Sequence, residues 1–588
     1  MPYAAPVADM LATMRSAGGF DAALAAGLHG ELTFEDVASV LEEAGRFAAQ
    51  VIVPLNRAGD AAGTPLQDGR VTMPPGYREA YRSWSEAGWN SLSGPEEFGG
   101  QGLPTLVAVA CAEMWNGAAM AFGLGPLLTA GAVEAVEKHG SDDLKARYLA
   151  QLVSGEWTGT MNLTEPQAGS DLAAIRTRAE PAGDGTYRIT GTKIYITYGE
   201  HDLTDNIIHL VLARLPDAPA GTRGISLFLV PKVLPDGQHN DLRCAGVEHK
   251  LGIHGSPTCT MAFGDGGGAT GWLIGEENRG LACMFTMMNS ARLNVGIQGV
   301  AIAERAYQDA LAYARGRRQG RAPGQDGPGM SPILDHADVR RMLMTMKAYA
   351  AASRAICYAT ASELDRARLA AEPEARAAAL ARASLLTPIA KAFSTDIAVE
   401  VASIGIQVHG GMGFVEETGA AQHLRDARIL PIYEGTNGIQ AIDLVSRKLP
   451  LNGGAAVRAE IAAMRAVLRR LAAKGQDGFG ATASRLREAV SSLDRATSFM
   501  LRALAGNDPQ PALAGATPYL RLFGLASGGT FLADMALAET ASGGPDAASR
   551  TALCRFFAEN LATAAGGLEQ AIVAGGGFVD DAPLALAS

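Results

Sequence analysis

The chain has 588 residues, 48% of them hydrophobic and 19% charged, and a net charge of -11. At that length about three or four domains are expected, and the apolar content excludes wholesale disorder. The acidic balance argues against nucleic acid as a partner, because such proteins present a basic face.

Met1–Gly18 lacks the basic start and apolar core of a signal peptide. No apolar run is read as reaching the length of about 20 residues that spans a bilayer. The six cysteines, Cys111, Cys244, Cys259, Cys283, Cys357 and Cys554, show no CxxC spacing and read as buried free thiols. A cytoplasmic protein without a membrane partner is expected.

In chain order, Leu32–Val53 has apolar residues at steps of three and four, the pattern of an amphipathic helix, with a capping signal in Thr33 and Asp36. Thr105–Gly117 and Ala130–His139 also read as helices. From about Glu156 the texture changes. Trp157–Leu163, Tyr187–Thr197, Ile207–Arg214 and Gly224–Val230 are rich in Thr, Ile, Val and Tyr, with turn residues separating them. They predict antiparallel strands, closed by the glycine-rich Gly264–Gly271. Helical periodicity returns in Met284–Arg315, Leu334–Leu369, Glu374–Val408 and Ile439–Arg447. The Gly/Pro-rich Gly316–Pro332 reads as a mobile loop, and Leu449–Gly454 as a linker. The remainder predicts helices near Ala456–Ala473, Ala483–Leu504, Tyr519–Thr540 and Arg550–Ala574. Segregated helices and strands make this an α+β chain. The expected domains are 1–155 (helical), 156–278 (β), 279–450 (helical bundle) and 451–588 (additional helices).

Neither glycine cluster, 264–268 or 410–413, leads from a strand into a helix, so no dinucleotide-binding turn of the doubly wound kind is expected. The first reads as a structural turn. The second could admit a ligand to the backbone, since glycine lacks the Cβ obstacle. His249, His254, His409 and His423 have no partners at metal-ligand spacing, so no metal site is expected. Glu434 follows an apolar run, Ile429–Tyr433. A partly desolvated carboxylate has the raised pKa that a general base near neutral pH requires. The alternative is an ordinary loop glutamate before a helix capped by Thr436 or Asn437. Met161–Asp171 leaves a strand for an exposed turn with hydroxyls and N–H groups to offer. In Lys193–Gly199, alternation puts Tyr195 and Thr197 on one face, which suits stacking on a flat heterocycle while bonding to its edge.

Together, and in this order, TEPQAGSD (Thr164–Asp171), KIYIT (Lys193–Thr197), QVHGGMGF (Gln407–Phe414), LRDARI (Leu424–Ile429) and IYEGTNGIQ (Ile432–Gln440) resemble the acyl-CoA dehydrogenase family over Leu32–Arg447. The resemblance implies a helical N-terminal domain, a middle antiparallel β-barrel domain and a C-terminal four-helix bundle, with FAD between the last two. Met161, Leu163, Thr164, Gly169 and Ser170 would run along the flavin. Tyr195 would pack on its ring, and Thr197 would bond near N5. Arg317, Gln407, Gly410, Gly411, Thr436 and Gly438 would hold the dinucleotide, while Ser170, Asn289, Arg292, Tyr433 and Gly435 would contact the acyl-CoA.

By the same resemblance Glu434 would take the α-proton of the thioester as the β-hydride passes to the flavin, giving a trans-2-enoyl-CoA. A flavin ribityl hydroxyl and the Glu434 N–H would polarise the carbonyl. Electrons would leave to an electron-transfer flavoprotein. A homodimer is expected, with a tetramer as the other family arrangement. The extension 455–588 resembles that of a longer bacterial subgroup. It includes 3-methylmercaptopropionyl-CoA dehydrogenases of dimethylsulfoniopropionate breakdown, so 3-methylthiopropanoyl-CoA is the expected substrate. The alternatives are a short- or medium-chain fatty acyl-CoA dehydrogenase, an acyl-CoA oxidase and a non-enzymatic flavin-fold scaffold. Met284, Met287 and Met288 could line a thioether pocket, although core packing at helical spacing is the stronger reading.

Overall fold

The cap at Thr33 forms as its sequence requires. The Asp36 N–H donates to Thr33 Oγ1 (3.1 Å) and the Thr33 N–H returns a bond to the Asp36 carboxylate (3.0 Å), closing a capping box at the start of helix Phe34–Phe47. The computed structural model describes residues 3–324, 329–476, 478–506 and 508–587. They form two compact units, one drawn from 1–45, 105–113 and 295–588, the other from 46–104 and 114–294.

The second unit is built on a sheet of eight strands: β1 (Thr158–Asn162), β2 (Arg178–Pro181), β3 (Tyr187–Thr197), β4 (Ile207–Ala213), β5 (Ser226–Pro231), β6 (Leu242–Val247), β7 (Thr258–Phe263) and β8 (Ala269–Ile274). Hydrogen bonding runs β1-β4-β5-β8-β3-β7-β6, with β2 added to β3. β1 pairs parallel to β4, in register Thr158↔Ile207, so the sheet is mixed where an antiparallel one was expected. The glycine-rich stretch does not end it. Gly266 and Gly268 donate to the Asp241 carboxylate (2.8 and 3.0 Å) in a tight turn, and β8 follows. β4 is buried along its whole length. Its Ile208, Leu210 and Leu212 join Leu128, Val136, Met284 and Met287 in one core, and Val211 joins Ile189, Phe228 and Phe263 in another. Met284 and Met287 are fully buried and Met288 packs against the same core, so these thioethers fill the interior.

The two helices expected over 105–139 follow one another in a single run, α1 (Thr105–His139), broken at Ala119, whose backbone is extended (φ −156°, ψ 97°); the second begins about ten residues earlier than expected. By length and composition α1 could cross a membrane, which corrects the expectation that no run was long and apolar enough. Its apolar window is 78% buried inside the protein.

The first unit contains residues 295–316 of α2 (Gly280–Gly316), followed by α3 (Ala337–Leu369), α4 (Pro373–His409) and α5 (Asn437–Asp443). Arg354 on α3 is buried and bonded to Glu113 (2.6 Å) and Glu304 (3.0 Å), and the Tyr358 hydroxyl donates to Glu113 (2.9 Å). Two carboxylates thus pair with the buried guanidinium, and the phenol donates to one of them. The base of the 316–332 segment is a short hydrogen-bonded ladder, with Gln319 N–H to Ser331 O (3.0 Å) and Ile333 N–H to Arg317 O (2.8 Å). Its residues 325–328 lie outside those described.

The extension supplies α6 (Ala455–Ala473), α7 (Thr482–Ala505) and α8 (Ala516–Ser542). α8 comes close to α4 and α3 because it carries glycine at the contacts. A Cβ at Gly524 would fall 2.2 Å from the Phe393 ring, and one at Gly528 2.8 Å from Ala352 Cβ. Arg521 then pairs with Glu400 on α4 (2.7 Å). The extension is therefore packed onto the bundle's own helices.

Candidate active site

In the first unit, Ile429–Gln440 turns from an apolar run into α5. Glu434 stands in the left-handed region at φ +56°, followed by Gly435 at +81°. A side chain at such a φ stores roughly 1–3 kcal/mol of strain, which only the surroundings can hold. Three contacts do so. Buried Lys391 on α4 donates from Nζ to Gly435 O (2.9 Å) and to Asn437 Oδ1 (2.9 Å). Gln440 Nε2 donates to Glu434 O (3.1 Å). Asn437 Nδ2 donates in turn to Asp396 (2.7 Å) and to Thr395 Oγ1 (2.9 Å). Thr436 caps α5 by accepting the Ile439 N–H (3.3 Å). Glu434 is half-buried. The Tyr433 hydroxyl donates to Gln298, and loss of water, then the charge of Glu434, push its pKa well above the usual phenol value. Gly438 is exposed, as are Gln407, Gly410 and Gly411 at the end of α4 and Arg317 after α2.

In the second unit, β3 carries a bulge between Lys193 and Ile196, with Tyr195 in the left-handed region at φ +58°. Before the bulge Ile189 and Lys193 point inward; after it Ile196 does. The extra residue therefore turns Tyr195 and Thr197 to the open side, and the Tyr195 ring is 60% exposed. The Thr164–Asp171 segment is bound directly to this bulge. Ile194 N–H donates to Thr164 O (2.9 Å), Lys193 Nζ to Leu163 O (3.0 Å) and to the Glu165 carboxylate (2.8 Å), and Thr160 Oγ1 to Thr197 O (2.7 Å). Both members of the Lys193–Glu165 pair are buried. Burial pushes the Glu165 carboxyl up, but the Lys193 charge and bonds from Lys193, Thr177 and the Arg176 N–H outweigh it and hold it at about 2.

Near this bulge Met161 is buried, Leu163 and Thr164 are half-buried, and Gly169 and Ser170 are exposed. Neither the Thr164 nor the Thr197 hydroxyl has a hydrogen-bond partner among the described residues. An exposed ring, two available hydroxyls and an exposed turn fit a flat heterocycle with a polar edge. On α2, Asn289 is exposed. Arg292 is 9% exposed, with its guanidinium 6.0 Å from the Phe285 ring centre. Among the described residues no group of three His, Cys, Asp or Glu could hold a metal.

The residues that sequence reasoning passed over are Lys391, Gln440 and Gln298. Lys391 had a visible signal, a single charge inside the mostly apolar Leu385–Phe393. Such a lysine needs buried acceptors.

Family models agree with this architecture. Those of the N-terminal, middle and C-terminal domains of acyl-CoA dehydrogenases match residues 34–156, 160–265 and 278–449, and one described as acetyl-CoA dehydrogenase C-terminal like matches 455–582. The chain belongs to the acyl-CoA dehydrogenase family, oxidoreductases whose members are flavoproteins. It is 50% identical over 552 residues to the 3-methylmercaptopropionyl-CoA dehydrogenase of Ruegeria pomeroyi, covering 92% of this chain and 93% of that one. It is 39% identical to a butyryl-CoA dehydrogenase of Syntrophomonas wolfei, over 70% of this chain and 69% of the other. Among solved structures, the acyl-CoA dehydrogenase of Bacillus anthracis complexed with FAD superposes with a TM-score of 0.75 at 20% identity, covering 92% of this chain and 88% of that one.

Proposed function

We propose that this acyl-CoA dehydrogenase oxidises 3-methylthiopropanoyl-CoA to the trans-2-enoyl thioester with FAD as its cofactor. The observation that carries the substrate is the 50% identity, sustained over 92% of the chain and including the extension, to a dehydrogenase named for that thioester. The butyryl-CoA relative, at 39% over 70%, keeps the straight-chain reading second.

Glu434 is the base. It removes the α-proton, and its own N–H donates to the thioester oxygen, where negative charge grows as the proton leaves. FAD, when bound, supplies the acceptor for the β-hydrogen and its electron pair. Met161, Leu163, Thr164, Gly169, Ser170, Tyr195 and Thr197 would hold the flavin. Arg317, Gln407, Gly410, Gly411, Thr436 and Gly438 would hold the rest of the dinucleotide. Ser170, Asn289, Arg292, Tyr433 and Gly435 would contact the substrate. The chain works as a cytoplasmic homodimer and passes its electrons to an electron-transfer flavoprotein.

The test is anaerobic reduction of the FAD-loaded protein by 3-methylthiopropanoyl-, butanoyl-, hexanoyl- and octanoyl-CoA. The thioether thioester should lead in rate over dissociation constant by about tenfold or more, the scale on which a pocket separates substrates of slightly different shape. A clear preference for a straight chain would overturn the substrate, and fast reoxidation by air alone would overturn the electron acceptor.

A further inference from the structure

The base loop sits on a strained backbone and needs a reason to stay there. Its carbonyls show one. Gly435 O is held by Lys391 Nζ at 2.9 Å and Glu434 O by Gln440 Nε2 at 3.1 Å, so the carbonyls on both sides of the Gly435 N–Cα–C unit are fixed. Those bonds fix the planes of the two peptides that follow the Glu434 α-carbon, and so constrain the direction in which its side chain leaves the backbone. Lys391 is itself immobilised. It is 0% exposed and shares Asn437 Oδ1 with Thr395 Oγ1 (2.9 and 3.3 Å). The backbone of α4 on either side of it lies against glycines of α2. A Cβ at Gly296 would stand 2.6 Å from Ala390 O, and one at Gly299 2.6 Å from Ser394 O. Two residues along, the Phe393 ring lies against Gly524 of the extension. A lysine so enclosed cannot swing away, and its buried ammonium is held by the oxygens of Gly435 and Asn437.

We infer that Lys391 and Gln440 are positioning residues for Glu434, setting the angle at which its carboxylate meets the α-carbon. The inference rests on Glu434 being the base. It predicts a deficit in proton removal and not in thioester binding, because neither residue is asked to touch substrate. A misplacement of about 1 Å at a reacting group lowers a rate by about a hundredfold.

The experiment is rapid anaerobic mixing of FAD-loaded wild type, Lys391→Met, Gln440→Met and Glu434→Gln with 3-methylthiopropanoyl-CoA and butanoyl-CoA, with rates expressed per bound flavin. Hydrogen exchange of the amides in 432–440 is followed alongside. Lys391→Met should reduce flavin about 10- to 100-fold more slowly, with a substrate dissociation constant within about threefold of wild type and faster exchange in the loop. Gln440→Met should show the same pattern more weakly, and it decides the matter if Lys391→Met does not fold. A purely structural role would lower the melting temperature and the flavin content but leave the per-flavin rate within about twofold of wild type; that result overturns the inference. If Glu434→Gln itself reduces flavin at the wild-type rate, the base assignment has failed. If Glu434→Gln is inactive while the methionine variants are normal, only the positioning role has.

Discussion

Two short segments, one in each compact unit, hold a bulky residue in the left-handed region next to a buried lysine: Glu434 with Lys391, and Tyr195 with Lys193. The lysines differ in what they meet. Lys193 faces a carboxylate, Glu165, at 2.8 Å. Lys391 faces the neutral oxygens of Gly435 and Asn437. An ion pair holds tightly but depends on the protonation of both partners, and removing one leaves a buried charge behind. The oxygens that Lys391 bonds do not titrate, although the Asp396 carboxylate, bonded to Asn437 Nδ2 (2.7 Å), feels its charge. We read the first as a clamp for a binding surface and the second as a mount for the base proposed at Glu434.

The largest expected effect separates chemistry from scaffold. Glu434→Gln should lower turnover by about a thousandfold while leaving the melting temperature close to wild type, since the residue is half-buried on a loop. A matched fall in melting temperature would make Glu434 structural. Next, Lys193→Met strands the Glu165 charge and should cost about 3–5 kcal/mol, seen as a lower melting temperature and loss of bound flavin. A stable, flavin-replete variant would mean the clamp is dispensable.

A pH effect follows from Glu165. Its folded pKa, about 2, lies below the ordinary carboxylate value of 4.5. The folded state therefore binds fewer protons than the unfolded one across this window, and the stability contributed is complete above 4.5 and lost as pH falls towards 2. The melting-temperature gap between wild type and Glu165→Gln should narrow over that interval; a constant gap would exclude the linkage. The smallest effect is expected at Tyr195. Asparagine tolerates the left-handed region, and the tyrosine ring is 60% exposed. Tyr195→Asn should then change stability by no more than about 1 kcal/mol while weakening flavin retention. Unchanged flavin affinity would remove the ring from the cofactor site.

Much of this was legible along the chain because it is local. Thr33 and Asp36 announce their helix, Thr164–Asp171 its turn, and Tyr187–Thr197 its strand to the residue. What depends on distant partners was not. Alternation alone would place Tyr195 and Thr197 on the same face as buried Lys193. The bulge that turns them outward arises from pairing with β7. β6 (LRCAGV), β7 (TCTMAF) and β8 (ATGWLI) were missed because Gly, Cys and Ala dilute the strand signal. Residues 118–129 of α1 did not read as helix because Gly123, Gly125 and Pro126 look like breakers, whereas the break falls at Ala119. Burial of its apolar surface carries the second stretch through Gly123, Gly125 and Pro126. Glu434 could be singled out from its motif, but the residues that hold it lie on α4 and α5, and only the folded chain brings Lys391 to Gly435.

The central claim is that Glu434 moves the α-proton, and one measurement isolates that act. 3,3-Dimethylbutanoyl-CoA has α-hydrogens but none on its β-carbon, so proton removal can occur without any hydride leaving. Incubated in deuterated water with the FAD-loaded protein and followed by mass spectrometry, it should take up deuterium at the α-carbon with wild type and not with Glu434→Gln. Equal uptake by both proteins would contradict the account.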